Sequence, residues 1–228
     1  MDNIVELNQV EKIYKGADGA KALSDINLTV EKGSFISIVG ESGSGKSTLL
    51  NVIGTLDRPT KGDVLIGGQN TSSMHSNALA ALRNGTIGFV FQFHYLLPEY
   101  SAWENVLIPY RIGKRHVERE ILSRAEELFE IMGIEKVKNH MANNMSGGQQ
   151  QRAAIARALI NNPSIFLADE PTGNLDSENT AHIYTLLREI NTKFGTTFII
   201  VTHDRRIAGQ TDRIIEIIDG RITADSHH

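Results

Sequence analysis

The chain has 228 residues, a formal net charge of −4 and no cysteine. Its length supports a large buried core, and its 40% hydrophobic content suits a globular α/β unit and excludes a disordered chain. The acidic balance excludes a general attraction to nucleic acid or anionic lipid, so no nucleic-acid partner is expected. Without cysteine there are no disulfides and no thiolate metal ligands, which fits a reducing compartment. The longest apolar stretches, such as Phe198 to Val201 and Ile214 to Ile218, fall far short of the ~20 residues that span a bilayer. No secretory signal stands at the start, so any membrane role is expected to come through a partner. His227 and His228 resemble a truncated purification tag and are left out of the functional reading.

In chain order, the alternation in Ile4-Val5-Glu6-Leu7 and Ile26-Asn27-Leu28-Thr29-Val30, with Gly16, Gly19 and Gly33 at turns, predicts antiparallel strands. They lead into the apolar run Phe35-Ile36-Ser37-Ile38-Val39. Val64 to Ile66 and Thr86 to Phe91 read as further strands, and Glu104 through Met132 has helical spacing, interrupted near Pro109 and Gly113. A helix then begins near Gly147, followed by a strand at Ile165 to Ala168, a helix from about Ser177 to Lys193 and a strand at Thr197 to Val201. Strand and helix alternation predicts a parallel sheet, interrupted by a helical insertion. No repeat, low-complexity tract or Pro-rich linker divides the chain, so residues 1–226 are expected to form one domain. Within it, about 1–92 and 146–226 form an α/β core with an N-terminal antiparallel β subdomain, and about 93–145 form a helical subdomain running into residue 146.

Directly after the third apolar run, Gly40-Glu41-Ser42-Gly43-Ser44-Gly45-Lys46-Ser47 fits the phosphate-binding loop pattern Gly-x4-Gly-Lys-Ser/Thr. Its glycines let the backbone turn tightly and aim N–H groups at an anion, and the helix starting near Gly45 presents its positive dipole end to the same anion. Lys46 is placed to reach the β- and γ-phosphates of a nucleoside triphosphate, Ser47 to offer a hydroxyl to Mg²⁺, and Thr48 to meet the α-phosphate. A second centre follows where the apolar run Ile165-Phe166-Leu167-Ala168 ends in Asp169-Glu170, at the carboxyl end of a buried strand, where open α/β sheets bind ligands. Asp169 suits holding Mg²⁺ through water, and Glu170 suits polarising the water that attacks the γ-phosphate. Burial and a second negative charge would raise a carboxyl pKa there. Adjacent acids can also simply cap the segment that follows.

Met145-Ser146-Gly147-Gly148-Gln149-Gln150-Gln151-Arg152 makes local sense as a capping box, with Gln149 three residues after Ser146. In the order phosphate loop, Ser-Gly-Gly-Gln, acidic strand, the segment also resembles the signature of the ATP-binding cassette (ABC) ATPases, with methionine where leucine usually precedes the serine. The resemblance covers nearly the whole chain and implies a phosphate-loop NTPase cassette that binds ATP and Mg²⁺. It further implies a head-to-tail pair, in which Ser146, Gly147, Gly148 and Gln149 of one copy contact the γ-phosphate held by the other. By the same resemblance Tyr14 stacks on adenine and Gln92 senses Mg²⁺ and the attacking water while linking the core to the helical insertion. Asp176, in Asn174-Leu175-Asp176, lies in the loop through which the two sites communicate, and His203 contacts the γ-phosphate.

Within the family, Phe91-Gln92-Phe93-His94-Tyr95-Leu96-Leu97-Pro98-Glu99 and the run Ala168 to Asp176 look most like the lipoprotein-releasing and macrolide-exporter subunits. That implies an ATPase at the cytoplasmic face of the inner membrane, working through a separate integral membrane permease to export or extract a lipoprotein, peptide or drug-like substrate. Periplasmic adaptor or outer-membrane components belong to the same expectation. A regulatory ATPase of the cell-division type, acting through a membrane partner without transporting a substrate, shares the same catalytic residues and stays open at this point.

Overall fold

The strands β1 (Asn3–Ile13) and β2 (Lys21–Glu31) run antiparallel, and β2 alternates strictly from Asp25 onward, with Ile26, Leu28 and Val30 buried between exposed neighbours. That period of two gives a sheet with one face on the core and the other in solvent. On the other edge of β1, β4 (Lys61–Ile66) pairs with Val5 opposite Ile66, and the short β5 (Gln69–Asn70) completes the order β2-β1-β4-β5. The computed structural model describes residues 2–14, 20–112, 114, 116–173 and 177–227.

The continuous apolar runs form a second sheet, as expected for strands covered on both faces. Here β3 (Phe35–Val39), β6 (Ile87–Val90), β7 (Ile165–Asp169), β8 (Thr197–Val201) and β9 (Arg213–Ile218) are parallel, and β10 (Arg221–His227) joins antiparallel at the edge, in the order β10-β9-β3-β8-β7-β6. His227 is part of this edge strand, opposite Arg213. The β9–β10 turn is Asp219-Gly220, with φ of 47° and 72°, a pair of positive values that matches a type I′ hairpin.

The two faces of the sheet have separate cores. On one, Phe166 stacks on Phe198 with ring centroids 4.7 Å apart, and Phe35 packs tilted against Phe198 at 5.3 Å. They pack against α3 (Ala102–Arg111), α4 (Arg119–Met132), α5 (Gly147–Leu159) and α6 (Ser177–Phe194). On the other, Ile36, Ile38, Leu167, Ile199 and Ile215 meet α1 (Lys46–Ile53) and the buried side chains of the antiparallel sheet. Close approach of β6 and α5 requires Gly88, where a Cβ would lie 2.3 Å from the carbonyl oxygen of Ala158.

Two differences from the sequence reading stand out. Before β6 the chain forms α2 (Ser76–Thr86), so Thr86 ends a helix and does not begin a strand. Pro109, expected to interrupt the helix, lies inside α3, which continues to Arg111. Its missing N–H removes one bond close to the helix end, where the last turn is tied down by the Ile112 N–H to Ile108 carbonyl bond of 3.2 Å. The second expected break, Gly113, is outside the described residues.

Candidate functional site: a phosphate loop facing an acidic strand end

From the carboxyl end of β3 the chain turns through positive φ at Gly40 (152°), Gly43 (80°) and Gly45 (107°), and α1 begins at Lys46. A Cβ at Gly40 would sit 2.2 Å from the Ile217 carbonyl oxygen, and one at Gly45 would sit 2.5 Å from that of Ala22. Both sheets therefore press on the loop. The Gly220 N–H donates to the Ser44 carbonyl at 2.9 Å, and the Gly220 carbonyl accepts from the Ser24 N–H at 2.8 Å. The β9–β10 turn thus braces the loop, a role the sequence reading missed although Asp219-Gly220 is a readable turn signal.

Inside the loop Lys46 is buried and curls back, its Nζ donating to the Glu41 carbonyl at 2.6 Å. The Ser44 hydroxyl is buried and has no hydrogen-bond partner among the described residues. Glu41, Ser42 and Ser47 are exposed and Thr48 is half-buried on the first turn of α1. Together with Val39, Arg205 and Glu216 to Asp219, Gly40 to Ser44 and His203 line a cleft of about 610 Å³. An orphaned hydroxyl on the cleft, with an ammonium hydrogen-bonded to its own loop and a helix N-terminus beside it, fits a polyanionic ligand.

Across from α1, Asp169 closes β7 and hydrogen-bonds Ser47. Burial holds its carboxyl above the ordinary aspartate range; the Glu170 charge adds to that, and the Ser47 hydrogen bond and Lys46 oppose it. Glu170 has a φ of 47°, in the left-handed region, which is strained for a side chain of its size and is characteristic of functional positions. The strain is held by its N–H donating to the Val201 carbonyl at 3.0 Å and its own carbonyl accepting from the Gly173 N–H at 3.1 Å. Its Oε1 lies 3.2 Å from His203 Nδ1. His203 follows β8 in a turn where the buried Thr202 hydroxyl accepts the Asp204 N–H at 3.1 Å, a positioning contact with no signal in the sequence. Glu170 and His203 also border a second cleft of about 370 Å³, shared with Thr172, Gly173 and Thr202.

Gln92 leaves the end of β6 and reaches the same rim: a Cβ at Gly173 would sit 3.0 Å from Gln92 Nε2. The structure therefore gathers the phosphate loop, Asp169, Glu170, His203 and Gln92 at the carboxyl ends of β3, β6, β7 and β8. Tyr14 lies outside both clefts, its ring 4.9 Å from the Lys12 ammonium, which pairs with Asp57 at 2.5 Å. Asp176 is outside the described residues.

Ser146 caps α5 as the spacing requires: its hydroxyl accepts the Gln149 N–H at 3.3 Å, and Gln149 Oε1 accepts the Ser146 N–H at 2.9 Å. Ser146 and Gly147 are exposed, and a Cβ on Gly147 would meet nothing within 4 Å. None of Ser146, Gly147, Gly148 and Gln149 lines either cleft. The cap is thus no part of the cleft that the phosphate loop lines. Among the described residues no group of His, Asp and Glu is arranged to hold a metal alone, so a cation at Ser47 and Asp169 would draw its remaining ligands from phosphate oxygens and water. Among the described residues, no helix is long and apolar enough to cross a membrane.

Comparison with known proteins agrees with this geometry. Residues 23–173 match the family model for the ABC transporter. The chain is 45% identical over 224 residues to the lipoprotein-releasing system ATP-binding protein LolD 1 of Rhodopseudomonas palustris, covering 97% of this chain and 99% of that one. It is 49% identical over 225 residues to LolD of Anaeromyxobacter dehalogenans, covering 98% and 94%. A dimeric structure of the ATP-binding cassette MJ0796 in a post-hydrolysis state, bound to ADP and Pi, superposes with a TM-score of 0.90 at 44% identity over 98% of each chain. The cassette CbiO1 of Clostridium perfringens superposes with a TM-score of 0.89 at 30% identity, covering 100% of this chain and 89% of that one. Motif order, strand-end geometry and these likenesses agree that the chain belongs to the ABC transporter family, as an ATP-binding and ATP-hydrolysing cassette.

Proposed function

We propose that two copies of this chain close head to tail around two ATP molecules at the cytoplasmic face of a membrane. Closure and reopening would drive a separate membrane subunit that extracts or exports a substrate. The observation that carries this reading is the separation of Ser146 to Gln149 from the cleft of the phosphate loop, which leaves each cleft lacking a second wall unless another copy supplies it. Lipoprotein release is the favoured work, because the relatives that match nearly the whole chain carry that name.

Within each site the loop amides and Lys46 bind the β- and γ-phosphates, Thr48 meets the α-phosphate and Tyr14 stacks on the adenine. Ser47, Asp169 and Gln92 would hold Mg²⁺, which when bound offsets negative charge on the phosphates. Glu170 accepts a proton from the attacking water, and His203, 3.2 Å away, orients that carboxylate and meets the γ-phosphate. Ser146, Gly147, Gly148 and Gln149 of the second copy close the site with a helix N-terminus, and Asp176 is assigned to communication between the two sites. Exposed Phe93, Tyr95, Leu97 and Tyr100, beyond Gln92, offer the membrane subunit an apolar surface.

Glu170→Gln should keep ATP affinity, lose steady-state turnover by about 10²-fold or more and run as a dimer in light scattering with Mg-ATP. Adding Gly147→Arg should return it to a monomer at unchanged thermal stability, since none of the described residues lies within 4 Å of that Cβ. Dimers that survive Gly147→Arg would refute the two-copy site.

A further inference from the structure

We propose that Arg157 is a positioning residue for Gln92, fixing the loop that carries Gln92 to the same helix that presents Ser146 at its N-terminus. The inference rests on the role in hydrolysis given to Gln92 above. Arg157 stands near the C-terminal end of α5, and its guanidinium grips two successive backbone carbonyls. Nη1 donates to that of Tyr95 at 2.7 Å, and Nη2 donates to that of His94 at 2.8 Å. A planar fork of this kind sets direction as well as distance, which a lysine ammonium does not.

The gripped residue is strained. Tyr95 has a φ of 46°, a conformation that an aromatic residue keeps only when its surroundings impose it. From there the path to Gln92 is short and built of rings: Tyr95 packs edge-on against Phe91 at 5.6 Å, and Phe91 stacks on Phe89 of β6 at 5.5 Å. Gln92 follows Phe91 directly. At its far end the loop is tied to α3 by Asn105, whose Oδ1 accepts the Leu97 N–H at 2.7 Å. The segment therefore hangs between two helices, and its α5 end is set by Arg157.

The seam between loop and helix also holds a buried polar pair. Gln151, on α5, is fully buried beside the imidazole of His94. Burial holds the His94 imidazole below its ordinary range, and the Gln151 carboxamide beside it opposes that shift. The helix α5, which carries Ser146 at its N-terminus, therefore also seats the segment that leads to Gln92 through the Arg157 grip.

The test is a double-mutant cycle read in kcat at saturating Mg-ATP, with equilibrium ATP affinity measured alongside. Gln92→Ala should lower kcat. Arg157→Lys should lower kcat about tenfold in the parent with ATP affinity changed less than about twofold, and should cost less than about twofold once Gln92 is already alanine. Equal losses in both backgrounds, or parental kcat in Arg157→Lys, would overturn the positioning role and leave Gln92 untouched. A Gln92→Ala protein with parental kcat would overturn the role of Gln92 and the proposal with it. Should Arg157→Lys fail to fold, Arg157→Gln, which keeps one donor for the Tyr95 carbonyl, carries the same comparison.

Discussion

Asn105→Ala is expected to destabilise the fold by an amount that its hydrogen bonds define. Asn105 is fully buried. Its Oδ1 accepts the Leu97 N–H at 2.7 Å, and its Nδ2 faces the carbonyls of Leu97, Tyr100 and Ser101 at 3.0, 3.2 and 3.0 Å. Those carbonyls keep other donors after truncation. Leu97 keeps the Tyr100 N–H at 3.1 Å, Tyr100 keeps the Ala142 N–H at 3.1 Å and Ser101 keeps the backbone N–H of residue 105 at 3.0 Å. Only the part-buried Leu97 N–H is orphaned, at a cost of about 1–2 kcal/mol, and the emptied carboxamide space adds about 1 kcal/mol. A total of about 2–3 kcal/mol corresponds to a fall in Tm of about 5–10 °C for a chain of this length, read by calorimetry or urea titration. Asn105→Asp should be worse, because a carboxylate offers no donor to carbonyls at these distances. An alanine variant within about 0.5 kcal/mol of the parent, or an aspartate variant more stable than the alanine one, would refute the reasoning.

Gly45→Ala places a Cβ 2.5 Å from the Ala22 carbonyl at a φ of 107°; equilibrium binding of a fluorescent ATP analogue should weaken at least about tenfold, since the loop must shift to relieve the contact. Asp169→Asn should raise Tm at pH 7 while abolishing Mg²⁺-dependent hydrolysis. Burial lifts the folded pKa of Asp169 above its ordinary 3.8, so the stability linked to this group is complete below that value and is lost as pH rises through the folded pKa. The asparagine variant should lack this loss, and a pH–Tm curve parallel to that of the parent would count against it.

How much could be read beforehand varied with the kind of signal. Motifs whose chemistry is local, such as Gly40 to Ser47 and the Ser146–Gln149 cap, appear where their spacing placed them. The strand Phe35 to Val39 was legible because burial on both faces leaves an unbroken apolar run. The helix Ser76 to Thr86 was not, because its apolar face is short, with Leu79 buried and Leu82 partly buried against the core. Side chains that act on distant backbone escaped for another reason: Arg157 grips a loop 62 and 63 residues earlier in the chain, and no local spacing encodes such a pairing. Ile214 to Ile218 showed as an apolar run too short for a membrane, yet its place as β9, with a turn that props the phosphate loop, depends on contacts across the whole chain.

That prop orders events in time. The loop at Gly40 to Ser47 is made early in synthesis, but its shape depends on the backbone of Gly220, which bonds to Ser44 and Ser24. A chain emerging from the ribosome therefore carries its phosphate-binding sequence without these braces until the β9–β10 hairpin has been made. A chain stopped before residue 213 lacks both bonds of Gly220, so it should hold nucleotide less firmly than one in which that hairpin has docked.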